Sequence, residues 1–447
     1  MNDSSIHTIL TKMDSDSDND LIADVKNNLE PILEMMEEYL QEHYSIISDP
    51  NFENIFVSDL MKLFGTDHMS EDDAIDMEFE IHDALIYFYS AFMPRRSFNK
   101  TFTYKEVNIE DTTRHIDYLK SIPQPVQRTP EWYEYRHNLI TASDLYKAVD
   151  SQSMKNSLIY SKCNTLKTLS PCVSLTSSLH WGQKYEPLSI MLYEYIYKTE
   201  VSELGCIPHN KYRFIGASPD GINTCKESQR YGRLLEIKNV VSREITGEPK
   251  KEYWIQMQAQ MEVCDINDCD FLETKFTEYD CYNSYINDDF EIFTHDKPQS
   301  ITAVHSLVNK EDTADDTDDY DDDDDEYSTQ CKYPFKGLIM MFINELNDKI
   351  PIYVYKPLNI TIDEEHDWEE TVFTSQKEQG NSWVRNIYWK LEVFSCVLVL
   401  RNKFWFDKSV REFEFIWDTI EKERVSGFSH RAPKKRNNPN DIITVLK

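Results

Sequence analysis

Residues 218–241 read SPDGINTCKESQRYGRLLEIKNVV and contain charged residues within an apolar run. The run LLEIKNVV at the end of this segment predicts a largely buried strand. Because side chains alternate along a strand, Glu236 and Lys238 lie on one face and Ile237 points into the core on the other. Charged groups on a buried face cost free energy unless they are paired or bind a metal, so this strand predicts a functional site.

A second acid precedes this strand in the turn Ser218-Pro219-Asp220-Gly221. An aspartate held at a turn, a glutamate and a lysine can together bind Mg²⁺ and activate a water, which is the chemistry of phosphodiester hydrolysis. Each motif alone is common by chance, because turns of this composition are frequent. Their combination with two apolar strands makes a site at Asp220, Glu236 and Lys238 the better interpretation.

Segment 128–146, RTPEWYEYRHNLITASDLY, predicts a helix that ends before Thr141-Ala142-Ser143 and a second helix that begins there. Thr141 or Ser143 could cap the second helix, whose N-terminus would present backbone N–H groups to a phosphate near Arg136. The alternative is a packed helical hairpin with an ordinary N-cap.

Two further segments have apolar residues at helical spacing. Residues 180–196 place Glu186 within the apolar pattern, and residues 251–263 place Gln256 and Gln260 one turn apart on one face. The alternatives are a surface glutamate and polar side chains on a half-exposed helix.

These segments, taken in order, match a family. The chain resembles the λ-exonuclease/YqaJ-type viral recombinase nucleases of the PD-(D/E)XK superfamily, in the form carried by large DNA viruses. The resemblance covers about 128–280. The matching motifs are Arg136 with Ile140-Thr141-Ala142-Ser143, Trp181-Gly182 with Tyr185-Glu186, Ser218-Pro219-Asp220-Gly221, Glu236-Ile237-Lys238, and Tyr253 with Gln256 and Gln258.

The resemblance implies an α/β, restriction-endonuclease-like core, in which helices flank a mixed central sheet. It also implies one or two Mg²⁺ ions per site, with Mn²⁺ as a substitute. Asp220, Glu236 and the backbone carbonyl of Ile237 would bind the metal, and Glu186 would complete the acidic cluster. Mg²⁺ prefers oxygen ligands and keeps several waters, so two or three carboxylates suffice.

The resemblance assigns roles to the remaining residues as well. Lys238 would orient or activate the attacking water, or stabilise charge on the phosphate, and Gln256 would position that water or Lys238. Arg136 and Ser143 would hold a substrate phosphate, which in the family is a 5′ phosphate end. His137 and Gln258 are candidates for a supporting role.

The net charge of the 447 residues is −33, which argues against a simple nucleic-acid coat protein. The composition is nevertheless consistent with an enzyme that acts on nucleic acid. Residues 311–326 include 12 acidic residues and no basic one, whereas residues 121–251 hold 17 Lys and Arg against 13 Asp and Glu. A mildly basic region around clustered carboxylates suits a polyanionic substrate. The nine cysteines form no CxxC pair, which argues against a zinc or iron–sulfur site and favours a reduced intracellular compartment.

We expect five regions along the chain. They are a helical N-terminal region at 1–115, the core at 127–300, an acidic disordered loop at 308–330, a small α+β C-terminal part at 331–428 and a basic tail at 429–447. The N-terminus lacks a signal-peptide pattern, and no segment approaches the roughly 18 apolar residues that span a bilayer.

The sequence therefore predicts a Mg²⁺-dependent 5′-to-3′ exodeoxyribonuclease that acts on linear duplex ends in viral DNA recombination or processing. The alternatives are an endonuclease, a Cas4/RecB-like nuclease, a non-catalytic DNA-binding or scaffold protein on the same fold, and a protein-interaction platform. We expect DNA as a partner, with a single-strand annealing protein and a homo-oligomer as further candidates. The expected location is the host cytoplasm, the nucleus or the virion.

Overall fold

The computed structural model describes residues 20–98, 107–127, 129–166, 175–288, 335–344, 350–360 and 362–433. The acidic loop predicted at 308–330 and the part of the basic tail after residue 433 lie outside these ranges. The helices in the described residues are α1 Asp20–His43, α2 Phe52–Leu63, α3 Glu71–Ala91, α4 Ile109–Ser121, α5 Pro130–His137, α6 Ala142–Leu145, α7 Gln152–Cys163, α8 Ser178–Tyr197, α9 Lys251–Cys264, α10 Tyr282–Asn287, α11 Ile362–Glu378 and α12 Lys403–Ser426. The strands are β1 Ile140–Thr141, β2 Val201–Ser202, β3 Ile207–Pro208, β4 Ile215–Ala217, β5 Gly221–Asn223, β6 Leu234–Asn239, β7 Asp268–Glu278, β8 Lys336–Ile343, β9 Pro351–Tyr355 and β10 Ser382–Leu400.

Helices α1 and α3 form where apolar residues recur at three and four positions along 21–46 and 71–93. Ser70 caps α3, since its hydroxyl accepts a hydrogen bond from the Asp73 N–H at 3.2 Å. The buried faces of α1, α2 and α3 meet at Met36, Phe56 and Phe88, each fully buried. Their apolar contacts belong to the same cluster as the interior of the central region.

The central feature is a seven-stranded mixed sheet in the order β2-β5-β6-β7-β10-β8-β9. The β6–β7 pair is parallel and the other pairs are antiparallel. A three-stranded sheet, β1-β4-β3, lies before the turn that leads into β5. The predicted α/β class with helices flanking a mixed sheet is therefore confirmed.

Strand β6 is buried because helices cover both faces of the sheet around it. Leu234 belongs to the apolar cluster that includes Trp254 of α9, whereas Leu235 and Ile237 belong to the cluster formed by α8. Alternation along β6 thus sends Glu236 towards α9 and Ile237 towards α8, as the sequence predicts.

The C-terminal strands continue this sheet. Strand β10 pairs with β7 on one side and β8 on the other, so the central and C-terminal parts share one sheet. Helix α12 then crosses back, and Trp405 packs edge-on against Trp254 of α9 with ring centroids 5.1 Å apart. The boundaries that we expect between the five regions stay predictions.

No helix in the described part of the chain combines the length and the hydrophobicity that crossing a bilayer requires.

Candidate active site

The turn between β4 and β5 brings Asp220 to the middle of β6. The Asp220 Oδ2 atom accepts a hydrogen bond from the backbone N–H of Ile237 at 2.7 Å. This contact joins the two motifs that the sequence separates, because the β5–β6 hairpin folds the intervening residues away. Asp220 therefore lies beside Glu236 and Lys238, as the sequence predicts.

Glu236 is the most enclosed acid of the site, with no exposed surface. Its carboxylate pairs with the Lys238 ammonium and accepts amide hydrogen bonds from Gln256 at 2.7 Å and Gln260 at 2.6 Å. Lys238 Nζ also lies 3.5 Å from the Gln256 Oε1 atom and over the Tyr253 ring at 5.0 Å. The three polar contacts of the Glu236 carboxylate compensate much of the cost of burying this charge.

Asp220 is half-buried, and its surroundings disfavour the charged form of its carboxyl group. Burial and the nearby Glu236 carboxylate raise the pKa of Asp220 well above its usual value, and Glu186 acts in the same direction. Burial opposes the charge of Lys238, but the Glu236 and Asp220 carboxylates outweigh it and raise the pKa of the Lys238 ammonium. The site therefore concentrates negative charge around one ammonium group.

Glu186 approaches from α8, on the other side of β6. Asn239, at the end of β6, donates a hydrogen bond to the Gly182 carbonyl at 3.1 Å and fixes this part of α8 against the strand. Across the described residues, no three His, Cys, Asp or Glu side chains are gathered so that they could hold a metal ion. Asp220 and Glu236 are thus the two acids that lie beside Lys238, and Glu186 has a smaller electrostatic effect on Asp220 than Glu236 has.

The two phosphate-binding candidates lie at different places. Arg136 donates a hydrogen bond to the Ser218 hydroxyl at 2.9 Å and stacks over the Trp132 ring at 4.6 Å. Ser143 is exposed, and its hydroxyl lies 3.1 Å from the Thr141 hydroxyl. Arg136 therefore contacts the turn that holds Asp220, whereas Ser143 lies at the start of the four-residue helix α6.

The two candidates for a supporting role have structural partners. The His137 ring lies 2.9 Å from the Asn164 carbonyl, and Gln258 bridges the Leu400 carbonyl and the Asn402 N–H at 3.0 and 2.6 Å. The His137 and Gln258 side chains therefore form their hydrogen bonds with neighbouring segments of the chain and not with the acids of the site.

Sequence reasoning missed two hydrogen-bond partners of the predicted site residues. Gln260 bonds to Glu236, and Ser218 bonds to Arg136. Gln260 had a local signal, since it lies one turn after Gln256 on the same face. Ser218 stands in the motif of the acid turn but has no feature that marks it as a partner of Arg136.

A family model of the YqaJ-like viral recombinase domain matches residues 131–267. Residues 131–267 are therefore similar to a YqaJ-like viral recombinase domain. The resemblance seen in the motifs is therefore confirmed. The YqaJ-like domain includes all the predicted site residues, Arg136, Ser143, Glu186, Asp220, Glu236, Ile237, Lys238 and Gln256. It ends just before β7, so the parallel partner of β6 and all of β8, β9, β10 and α12 lie outside the matched range.

This chain is also similar to a viral protein over a range longer than the matched domain. Uncharacterized protein R354 of Acanthamoeba polyphaga mimivirus is 29% identical over 336 residues, which are 71% of this chain and 56% of the relative. The chain thus spans about half the length of that curated relative.

Two crystal structures of LHK-Exo, an alkaline exonuclease from Laribacter hongkongensis, are also similar to this chain. One, in complex with dAMP, is 28% identical and aligns with 32% of this chain and 73% of its own. The other is 24% identical and aligns with 41% and 90%. The TM-score is 0.27 in both cases, and such superpositions carry no weight for the site.

Proposed function

We propose that this chain is a divalent-metal-dependent deoxyribonuclease that hydrolyses the phosphodiester bonds of duplex DNA from a 5′ end. The observation that carries the proposal is the convergence of Asp220, Glu236 and Lys238 beside the middle of β6, inside the range similar to a YqaJ-like domain. Two acids and an ammonium group around a backbone carbonyl are a set that can bind a metal-ion–phosphate complex.

The residues fit Mg²⁺, with Mn²⁺ as a substitute. The pKa of Asp220 is raised because its carboxylate is buried near Glu236 and Glu186, and a divalent cation would balance this excess negative charge. Asp220, Glu236 and the Ile237 carbonyl would hold one ion, and Glu186 would contribute directly or through water. When bound, the metal would acidify a water and offset charge on the phosphate.

The protein itself supplies orientation and charge next to that metal site. Lys238 lies between Glu236 and Gln256, where its ammonium can face a phosphate oxygen or orient the attacking water. Gln256 donates to Glu236 and lies within reach of Lys238, so it fixes the direction of both side chains. These contacts hold the two charged groups in position before the substrate arrives.

Substrate binding would rely on phosphate contacts. Arg136 is half-buried and bonded to Ser218, two residues before Asp220, so a phosphate held by Arg136 would lie close to the acidic turn. Ser143 would contribute a hydroxyl at the start of α6. Contacts with backbone phosphates carry no base information, so cleavage is expected to be independent of sequence.

The test is a digest of end-labelled linear duplex with Mg²⁺, with and without a 5′ phosphate. Asp220→Ala and Lys238→Ala are expected to abolish cleavage, whereas Asp117→Ala, an exposed acid on α4, is expected to leave it unchanged. Equal activity in the wild type and the two site variants would sink the proposal. Cleavage of closed-circular DNA at a similar rate would instead identify an endonuclease.

The remaining expectations are part of the proposal. A DNA end is the proposed substrate in viral recombination or processing, and a single-strand annealing protein and a homo-oligomer are proposed partners. The proposed location is the host cytoplasm, the nucleus or the virion. Mass photometry of the purified chain, with and without an annealing protein, tests the two assembly proposals.

A further inference from the structure

One guanidinium group of the C-terminal helix reaches back to the segment that carries Arg136. Arg424 of α12 donates to the Lys162 carbonyl at 3.0 Å, to the His137 carbonyl at 3.0 Å and to the Asn138 side-chain oxygen at 3.3 Å. Arg424 lies far outside the matched range 131–267. The contact is therefore an addition that the YqaJ-like domain does not include.

The two carbonyls stand at the C-terminal ends of two different helices. His137 is the last residue of α5, and Lys162 lies in the last turn of α7. Carbonyls at helix ends lack partners within their own helix, and a cation there is favoured by the helix dipole. The planar guanidinium presents several donors in fixed directions, so Arg424 can cap both helices at once and hold them together.

The contacts continue from Arg424 to the acidic turn. The Lys162 ammonium, whose side chain is almost fully buried, donates to the Arg136 carbonyl at 2.9 Å. The Arg136 guanidinium in turn donates to the Ser218 hydroxyl at 2.9 Å. A continuous series of hydrogen bonds thus runs from α12 through α7 and α5 to the turn that holds Asp220.

The charges around these helices point to an anionic ligand. Arg136, Lys147, Arg424 and Asp144 all act on the buried Lys162, and Asp144 is the one acid among them, paired with Lys147. Burial is the largest cause that lowers the pKa of Lys162, to about 8, and the neighbouring cations lower it further against the opposing effect of Asp144. Such an excess of cations is stabilised when a phosphate is bound.

We propose that Arg424 is a positioning residue for Arg136, and that it sets the preference for a terminal 5′ phosphate over a 5′ hydroxyl. The inference rests on the proposed function, because it assigns Arg136 to the substrate phosphate. Arg424 does not touch the substrate. It holds the C-terminal ends of α5 and α7 in place through their carbonyls. Lys162 of α7 in turn holds the Arg136 backbone through its hydrogen bond to the Arg136 carbonyl. Substrate selection in the YqaJ-like domain then depends on a helix outside it.

The experiment measures binding without cleavage. In an Asp220→Asn background with Ca²⁺, fluorescence anisotropy gives the Kd of a blunt duplex with a 5′ phosphate and of the same duplex with a 5′ hydroxyl. Arg424→Gln is expected to reduce the preference for the phosphate about tenfold, as typical for loss of a supporting contact, with unchanged affinity for the hydroxyl duplex. Arg424→Lys restores part of it, because an ammonium can still bond one carbonyl.

Arg411→Gln is the matched control, an exposed arginine on the same helix, and it is expected to leave both affinities unchanged. Lys162→Gln keeps Arg424 but removes the ammonium bond to Arg136, and it is expected to reproduce the loss if Arg424→Gln does not fold. A parallel fall in affinity for both duplexes, together with a lower Tm, would show a structural role only and overturn the inference.

The outcome also separates this inference from the proposed function. A background protein that binds both duplexes equally overturns the inference, even if the wild type cleaves DNA with Mg²⁺. A phosphate preference that disappears in Arg424→Gln supports it, even if the wild type shows no cleavage.

Discussion

Two buried charge clusters lie on opposite faces of the same pair of strands. Glu236 of β6 faces α9, and Asp270 of β7 faces α8, because Asp270 is paired in register with Leu235 rather than with Glu236. Both carboxylates have no exposed surface. They differ in what surrounds them, and this difference separates a structural charge from a functional one.

The negative charge of Asp270 is fully balanced by its neighbours. Arg230 and Arg233 both form ion pairs with the Asp270 carboxylate, and the Arg233–Asp270 distance is 3.0 Å. The Tyr193 hydroxyl donates a hydrogen bond to the same carboxylate at 2.5 Å. Burial would raise the pKa of Asp270, but the two guanidinium groups outweigh burial and lower it. Two cations and a hydroxyl satisfy the carboxylate, so this cluster needs no ligand.

The Asp220 cluster is not balanced. Glu236 and Glu186 both act on Asp220, and Lys238 is the ammonium group that pairs with Glu236. The raised pKa of Asp220 follows from that imbalance and from burial. Proteins keep such an arrangement where a function requires it, at a cost in stability.

The largest expected effect comes from neutralising the unbalanced acid. Asp220→Asn is expected to reduce Mg²⁺-dependent cleavage on the order of 10³-fold, because several kcal/mol of transition-state stabilisation are lost. In metal-free buffer the same variant is expected to be more stable than the wild type, because burial and the neighbouring carboxylates disfavour the charge of Asp220. Single-turnover kinetics and thermal unfolding in EDTA check the two parts, and an unchanged or lower Tm would contradict the second.

Neutralising Asp270, the balanced acid, is expected to have the opposite effects, which are lower stability and nearly unchanged cleavage. Asp270→Asn leaves two guanidinium groups buried without their anion, which costs about 3–5 kcal/mol of unfolding free energy. Cleavage per folded molecule is expected to stay close to that of the wild type, since Asp270 lies on the other face of the sheet. Urea denaturation and an active-site titration measure the two quantities. Loss of turnover at unchanged stability would place Asp270 in the site instead.

A smaller effect is expected from the amide that supports Glu236. Gln260→Leu removes the donor to one carboxylate oxygen and is expected to lower metal affinity or activity about 10–100-fold. Gln258→Leu on the same helix is the control, because Gln258 bonds to the Leu400 carbonyl and the Asn402 N–H. That change is expected to lower stability by about 1–3 kcal/mol without altering the dependence on Mg²⁺ concentration. Titration of Mg²⁺ in the cleavage assay distinguishes the two variants.

The smallest effect is the pH dependence of the balanced cluster. The pKa of Asp270 is lowered in the folded state, so its contribution to stability is present above the unfolded value of about 3.9. That contribution is lost as the pH falls through the lower folded value. The difference in unfolding free energy between the wild type and Asp270→Asn is therefore expected to be constant from pH 7 to about 5 and to shrink below about 4. A difference that grows on acidification would contradict this assignment.

The local periodicity of the sequence predicts much of the site and of the helices that hold it. The alternation of β6 placed Glu236 and Lys238 on one face, and the helical spacing of α9 placed Gln256 beside Gln260. The Ser70 cap and the helices at 20–43, 71–91, 178–197 and 251–264 follow from the same short-range rules. These features involve residues close together in sequence, so a single sequence is enough to predict them.

Only the tertiary structure decided which distant segments meet. It placed β10 between β7 and β8, turned Gln260 onto Glu236, paired Asp270 with Arg230, and brought Arg424 to the ends of two helices more than 250 residues earlier. No local pattern marks these partners, because a buried polar group can be satisfied by any donor that the fold brings within reach. The sequence by itself determined the chemistry of the acids, and the packing of the whole chain decided which charges are balanced and which remain available for a ligand.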